Sequence, residues 1–213
     1  LNRWAVHPME GWDGTTDGNP TDDTLRRWFN FGLSGAALVW GGEAFAVCPE
    51  GRANPNQLHQ GSHPDPAVGL KKLMAELRRG QSLANFGDSK PVGLPVMQTL
   101  VGLQLTHSGR WSRPTIDGPA PRTVFRHELL DQRAGIDSNE QLLSDDELAA
   151  LPAMYATAAQ HAAATGFDFV DVKCCHGYLL HECLAAYTRP GPYGGSFENR
   201  TRLFRDIVSA IRA

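Results

Sequence analysis

The chain has 213 residues, with 20 lysines and arginines against 23 aspartates and glutamates and a hydrophobic fraction of 41 %. That is an ordinary globular composition, and it contains neither the basic patch nor the like-charge run that nucleic acid or an anionic membrane surface requires. No stretch approaches the roughly 18 consecutive apolar residues of a spanning helix, and the opening LNRWAVHPM lacks the basic and apolar blocks of a signal peptide. A soluble, cytoplasmic protein with no membrane or nucleic-acid partner is expected. Four cysteines, two of them adjacent at Cys174 and Cys175, make no disulfide framework. No low-complexity linker or internal repeat divides the chain, so one domain is expected.

Trp4 to Val6 reads as a short first strand. Pro20-Thr21-Asp22 opens a helix whose apolar stripe is Leu25, Trp28, Phe29 and Leu33, and Gly35 stops it. Ala36 to Trp40 is a short buried strand, followed by a long loop containing CPEGRANPNQ and a helix from about Asp65 to Arg79 that Gly80 ends. A Gly/Pro-rich insertion from Asp88 to Pro95 leads into a strand over Thr99 to Thr106. There Val101, Leu103 and Leu105 face one way and Gly102, Gln104 and Thr106 the other. Ser144-Asp-Asp-Glu147 is a capping box for a helix carrying Leu148, Leu151, Tyr155, Ala158 and Ala162, in which Pro152 predicts a kink or a late start. Phe169 to Lys173 is the fourth strand, with Asp171 and Lys173 on one face. Ser196 caps a final helix with Leu203, Phe204, Ile207, Val208 and Ile211 on its apolar side.

Four strand-helix units in a row imply a parallel sheet covered by helices. An eight-unit barrel takes about 250 residues. The expected fold is therefore α/β, a (β/α)8 TIM barrel of which about the first four units are present. Residues 1–213 then form a single incomplete domain, truncated at both ends.

From the fourth strand the sequence reads GFDFVDVKCCHGYLLHECLAAYTRPGPYGGSFENRTR, and here it resembles the old yellow enzyme family of FMN-dependent oxidoreductases. The resemblance rests on His176 to Leu180 and on the YGGS-ENR run from Tyr193 to Arg200. It also rests on HPM at His7 to Met9, EAFAVCPEGR from Glu43 and LQLTHSGR from Leu103. These matches stand in the family's order over nearly the whole chain.

The resemblance implies a flavin site and a substrate site. Pro8, Met9 and Glu10 correspond to the first flavin-contacting segment, and Ala44 to a small residue whose backbone approaches the ring. Gln104 corresponds to the amide that pairs with the ring's polar edge, a role its two-way hydrogen bonding suits. His176 corresponds to a donor to the carbonyl of an enone, and Tyr178 to the acid that protonates the α-carbon after hydride reaches the β-carbon. Strand-end packing is the alternative for Met9, and satisfied structural roles are the alternatives for Gln104, His176 and Tyr178. Lys173 departs from the family, standing where a first carbonyl-binding His is usual. It reads either as a lumen ion pair with Asp171 or as a substrate-binding cation for a carbonyl oxygen or carboxylate. Glu10 is a second departure, at a place often held by Cys or Thr.

Cys174, Cys175, His176, His181 and Cys183 crowd together without zinc-ligand spacing, His181-Glu182 lacks a second His, and no Gly-rich phosphate loop occurs, so no metal is expected. The resemblance implies an FMN-dependent NAD(P)H:flavin oxidoreductase, taking hydride from NADH or NADPH to the activated C=C bond of a small α,β-unsaturated carbonyl substrate. The alternatives are an oxidative demethylase or amine dehydrogenase, or a truncated barrel without activity, as the fragment alone is expected to be. Homo-oligomerisation of the full-length protein is left open.

Overall fold

A computed structural model of the chain describes residues 2–61, 66–86 and 98–213. The Asp88–Pro95 insertion read from the sequence lies outside the described residues. In chain order the elements are β1 (Ala5–Val6), α1 (Asp22–Leu33), β2 (Leu38–Val39), β3 (Ala44–Ala46), α2 (Pro66–Phe86), β4 (Leu100–Thr106), α3 (Glu128–Ala134), α4 (Asp145–Ala164), β5 (Phe169–Val172), α5 (Leu179–Ala185) and α6 (Phe197–Arg212).

The strands form a parallel sheet. Ala5 of β1 stands opposite Leu38 of β2, and Leu38 opposite Leu100 of β4. In a strand, alternate residues turn their backbone groups to opposite edges. Leu100 and Gln104 donate to the carbonyls of Ala37 and Glu43, and the Thr106 carbonyl accepts from Val47 N. The Val101 carbonyl instead accepts from Asp168 N, just before β5. β2 and β3 therefore lie in succession along one edge of β4, as two pieces of one strand position, and β5 takes the other edge. The strands stand side by side in chain order, as consecutive βα units do. β3 corrects the sequence reading, which assigned these residues to a loop: Ala44, Phe45 and Ala46 are buried on both faces and show no alternation.

The described chain folds as two compact units. The first comprises Leu1–Phe45, Asn56–Leu105 and His161–Asp171. Thr21 caps α1 in a reciprocal capping box with Thr24, and Gly35 follows the helix at φ +67°, both where the sequence places them. Trp28 is fully buried, edge-on to Phe31 and Phe167 at centroid distances of 5.9 and 5.8 Å. Gly80 does not end α2, which continues to Phe86. It is instead a contact point. A Cβ on Gly80 would lie 2.1 Å from the Phe29 carbonyl, and one on Gly32 would lie 1.9 Å from the Leu77 carbonyl, so α1 and α2 touch backbone to backbone at paired glycines.

The second unit comprises Ala46–Pro55, Thr106–Gln160 and Val172–Ala213. The predicted capping box opens α4: Ser144 N donates to Glu147 Oε2 at 2.7 Å and Glu147 N to Ser144 Oγ at 3.2 Å. Pro152 neither delays nor interrupts this helix, because α4 runs on past it to Ala164. Ser196 caps α6, whose Leu203 and Ile207 are fully buried. The short helices α3 and α5 carry no long apolar period and were not anticipated. They are tied together by Arg110, whose side chain is fully buried and donates to Glu182 of α5, Asp131 of α3, Thr123 Oγ1 and the Phe125 carbonyl. Among the described residues no helix is long and apolar enough to cross a membrane, and no group of three His, Cys, Asp or Glu side chains is placed to hold a metal.

Candidate active site

In the first unit, Pro8, Met9 and Glu10 follow β1, Ala44 opens β3, and Gln104 lies late in β4. Met9 N donates to the Gly41 carbonyl at 3.2 Å, and Ala44 N donates to the Met9 carbonyl at 2.8 Å. This lacing requires Gly41, because a Cβ there would meet Gln104 Cβ at 3.0 Å and Pro8 Cγ at 3.3 Å. Pro8, Met9, Ala44 and Gln104 are thus gathered on one patch. Gln104 is 6 % exposed, and its Nε2 donates to Asp171 Oδ2 at 2.6 Å. A carboxylate only accepts, so Asp171 fixes which end of the amide faces it.

An ion network, buried at Glu43 and partly exposed at Arg27 and Asp13, adjoins Ala44 through Glu43. Arg27 of α1 reaches Asp13 Oδ1 at 2.7 Å, Glu43 Oε2 at 2.8 Å and the Gly42 carbonyl at 2.9 Å. Glu43 is fully buried and accepts from Gly11 N at 3.1 Å. Burial pushes the Glu43 carboxyl up to about 6, against the opposing pull of Arg27. The network pins the Glu10–Asp13 turn to the residues that lead into β3. Its members are far apart in sequence, and only Glu43 fell in a motif singled out beforehand.

In the second unit, Lys173 directly follows β5. It is 7 % exposed, and its Nζ lies 4.0 Å from the Tyr178 ring centroid, a cation–π contact. The His176 and Tyr178 rings are edge to face, with centroids 6.5 Å apart. His176 adopts φ +61°, and Gly177 follows at φ +69°. A left-handed histidine costs about 1 kcal/mol and persists only where its surroundings over-determine it. Here the reversal brings Gly177 N to His181 Nδ1 at 2.9 Å. Tyr178 then caps α5, with Glu182 N bonded to its carbonyl at 2.9 Å, and Leu179 N donates to the His107 carbonyl at 3.1 Å. The His107 ring is buried, accepts from Gly109 N at 3.1 Å, and has its pKa pushed down to about 4 by burial.

The structure therefore groups Pro8, Met9, Ala44 and Gln104 in one unit and Lys173, His176 and Tyr178 in the other. The sequence reading missed Asp171 as the group that holds Gln104, although strand alternation had already placed both on polar faces. It also missed Arg110 and Glu182, which anchor the helix that Tyr178 caps.

Parallel strands side by side in chain order, with helices between them, are the arrangement of about the first four units of a (β/α)8 barrel, and amide, imidazole, ammonium and phenol groups lie late in or just beyond β4 and β5. Residues 97–213 match the profile of the NADH:flavin oxidoreductase / NADH oxidase family, and the chain belongs to that family. It is 26 % identical over 213 residues to the NADPH dehydrogenase of Clostridium acetobutylicum, covering 99 % of this chain and 56 % of that protein. It is 28 % identical over 215 residues to the NADPH dehydrogenase of Bacillus subtilis, again covering 99 % and 56 %. The chain spans about half the length of these relatives. Among solved structures, Old Yellow Enzyme from Pichia sp. AKU4542 matches with a TM-score of 0.74 at 23 % identity, over 99 % of this chain and 52 % of that one. Morphinone reductase matches with a TM-score of 0.71 at 23 % identity, over 99 % and 54 %. These two likenesses show the fold.

Proposed function

We propose that the full-length protein is an FMN-dependent oxidoreductase that draws on NADH or NADPH and acts on the activated C=C bond of a small α,β-unsaturated carbonyl compound. This chain then supplies the flavin-edge and proton-donor residues of its site. Family membership supports the oxidoreductase class. The observation that carries the residue assignment is the gathering of Pro8, Met9, Ala44 and Gln104 on one patch, with the Gln104 amide held by Asp171. A fixed amide beside close-packed backbone has the donor and acceptor set that the polar edge of a flavin ring takes, so these residues fit FMN. Pro8, Met9, Glu10, Ala44 and Gln104 would hold it. Bound and reduced, FMN would supply the hydride that reaches the substrate's β-carbon.

The remaining chemistry belongs to this chain's side chains. His176, exposed on its left-handed turn, donates to the substrate's carbonyl oxygen and stabilises the charge that develops there. Tyr178 gives its hydroxyl proton to the α-carbon, held in place by the backbone bonds that open α5. Tyr178→Phe tests the assignment: it keeps the ring and removes the proton. Turnover should fall by about 10²- to 10⁴-fold while substrate affinity holds within a few-fold. Turnover unchanged in this variant would remove Tyr178 from the mechanism.

A further inference from the structure

We propose that Asp171 is a positioning residue that sets the reducing power of the flavin site: acting through the Gln104 amide, it lowers the reduction potential of bound FMN. The inference rests on the oxidoreductase reading above. It begins with the way β4 and β5 are fastened. Val101 N donates to Asp168 Oδ2 at 2.8 Å, and the Val101 carbonyl accepts from Asp168 N at 2.8 Å. Gly102 lets the Phe169 ring close over β4, since a Cβ there would enter that ring, and Phe169 also meets the Trp40 ring edge-on at 5.5 Å between centroids. Three residues beyond Val101 and Asp168 on the two strands, Gln104 and Asp171 come together, with Gln104 Nε2 donating to Asp171 Oδ2 at 2.6 Å. The strand pair therefore places the carboxylate beside the amide.

Gln104 is 6 % exposed, and its Oε1 has no partner among the described residues. With one N–H committed to Asp171, the amide keeps an acceptor oxygen and one N–H for a ligand. A buried acceptor left unpaired is costly, and the imide N–H on the polar edge of a flavin ring is the donor that would satisfy it. Asp171 does more than aim this amide. By accepting the N–H it polarises the group and leaves Oε1 richer in electrons. Its own negative charge stands one amide away from that edge, half-buried, where attraction and repulsion are screened less than in water. Reduction brings charge of the same sign. A hydride from a reduced nicotinamide carries one proton and two electrons, so the nicotinamide becomes a cation and the ring system gains one negative charge. A like charge nearby disfavours the charged form. Asp171 therefore favours the oxidised ring over the reduced one, so that hydride leaves more readily for an electron-poor C=C bond and enters less readily from nicotinamide.

The test is the potential of FMN bound to the full-length protein, measured by anaerobic dye equilibration, together with the dissociation constants of oxidised and reduced FMN. Asp171→Asn keeps the shape and removes the charge. It should favour reduced over oxidised FMN by about tenfold relative to wild type, which for two electrons is a potential about 30 mV higher. Asp171→Ser should move the potential in the same direction and supplies the reading if Asp171→Asn fails to fold. Asp171→Glu, which keeps the charge, should change that ratio by less than about twofold. In a Gln104→Ala background the Asp171→Asn shift should shrink, because the amide that carries it is gone; an undiminished shift there would contradict transmission through the amide. Both oxidation states weakened equally, with the potential unchanged, would mark a merely structural role and overturn the proposal. Flavin uptake separates the two readings. A full-length wild type that takes up no FMN overturns the flavin reading and this inference with it. FMN held at one potential in the wild type and in both neutral variants overturns this inference alone.

Discussion

Replacing Arg110 by Met would remove the cation that joins α3, α5 and the segment between Thr123 and Phe125. The Arg110 side chain is fully buried, and its two carboxylate partners, Glu182 and Asp131, are 4 % and 5 % exposed. The two carboxylates are not equally stranded by its loss. Asp131 keeps Arg126, whose Nε lies 2.5 Å from Oδ2, whereas Glu182 keeps, among the described residues, the neutral donors Thr123 Oγ1 at 2.8 Å and Val124 N at 3.4 Å. Breaking a buried pair by removing one partner costs about 3 to 5 kcal/mol, and the surviving Arg126 contact puts the expectation at about 3 to 4. For a chain of this size that is a melting point lower by roughly 6 to 16 °C. Burial already raises the Glu182 pKa, and losing Arg110 raises it further, so the deficit should shrink as pH falls and Glu182 becomes neutral. Urea melts of wild type, R110M, E182Q and the double variant form a cycle, in which the double variant should recover at least about 1 kcal/mol relative to additivity. A loss below about 1 kcal/mol, or one independent of pH, would refute the assignment of Arg110 as the anchor of the helix that Tyr178 caps.

Further outcomes can be measured directly. Gly80→Ala should destabilise the protein by about 1 to 3 kcal/mol in a urea melt, since its methyl would enter the Phe29 carbonyl; a gain of about 1 kcal/mol, as an exposed helical glycine gives, would contradict the α1–α2 contact. His107, with its pKa pushed from 6.5 down to about 4, binds fewer protons folded than unfolded in that window, so its contribution to stability is present above 6.5 and lost as pH falls. Glu43, pushed from 4.5 up to about 6, acts in the opposite sense, its contribution being present below 4.5 and lost as pH rises through 6. Melting points between pH 4 and 7 should therefore show a weaker rise with pH in His107→Asn and a weaker fall in Glu43→Gln. Gln104→Ala should weaken FMN retention by about 1 to 3 kcal/mol and also lower the melt of the flavin-free protein, since it removes the buried bond to Asp171, and Asp171→Ala should weaken retention less, both read by fluorescence titration.

The parts of this fold that were legible in the sequence are those fixed by local chemistry. Thr21, Ser144 and Ser196 announce helix starts because a capping hydroxyl acts within one turn of chain, and the structure places a cap at each. The alternation through Thr99 to Thr106 separated Gln104 from the aliphatic face for the same reason. Gly80 was misread because a glycine that stops a helix and one that admits a neighbouring backbone look alike; the carbonyl that decides the matter belongs to Phe29 of another helix. β3 was missed because a strand buried on both faces has no period to find. The left-handed turn at His176 and Gly177 was not read from the sequence, where both residues figured only in the motif. Arg110 closes the LQLTHSGR run and Glu43 opens EAFAVCPEGR, but the pairings within the Arg110 and Arg27 networks were not legible, since each joins residues brought together only by the tertiary fold.

The visible absorption spectrum of the purified full-length protein, recorded before and after anaerobic addition of NADPH or NADH, tests the central claim most directly. A yellow protein with one FMN per chain is expected, its oxidised-flavin bands bleached by the nicotinamide and restored by an α,β-unsaturated carbonyl substrate. A protein that stays colourless after reconstitution with FMN would contradict the account.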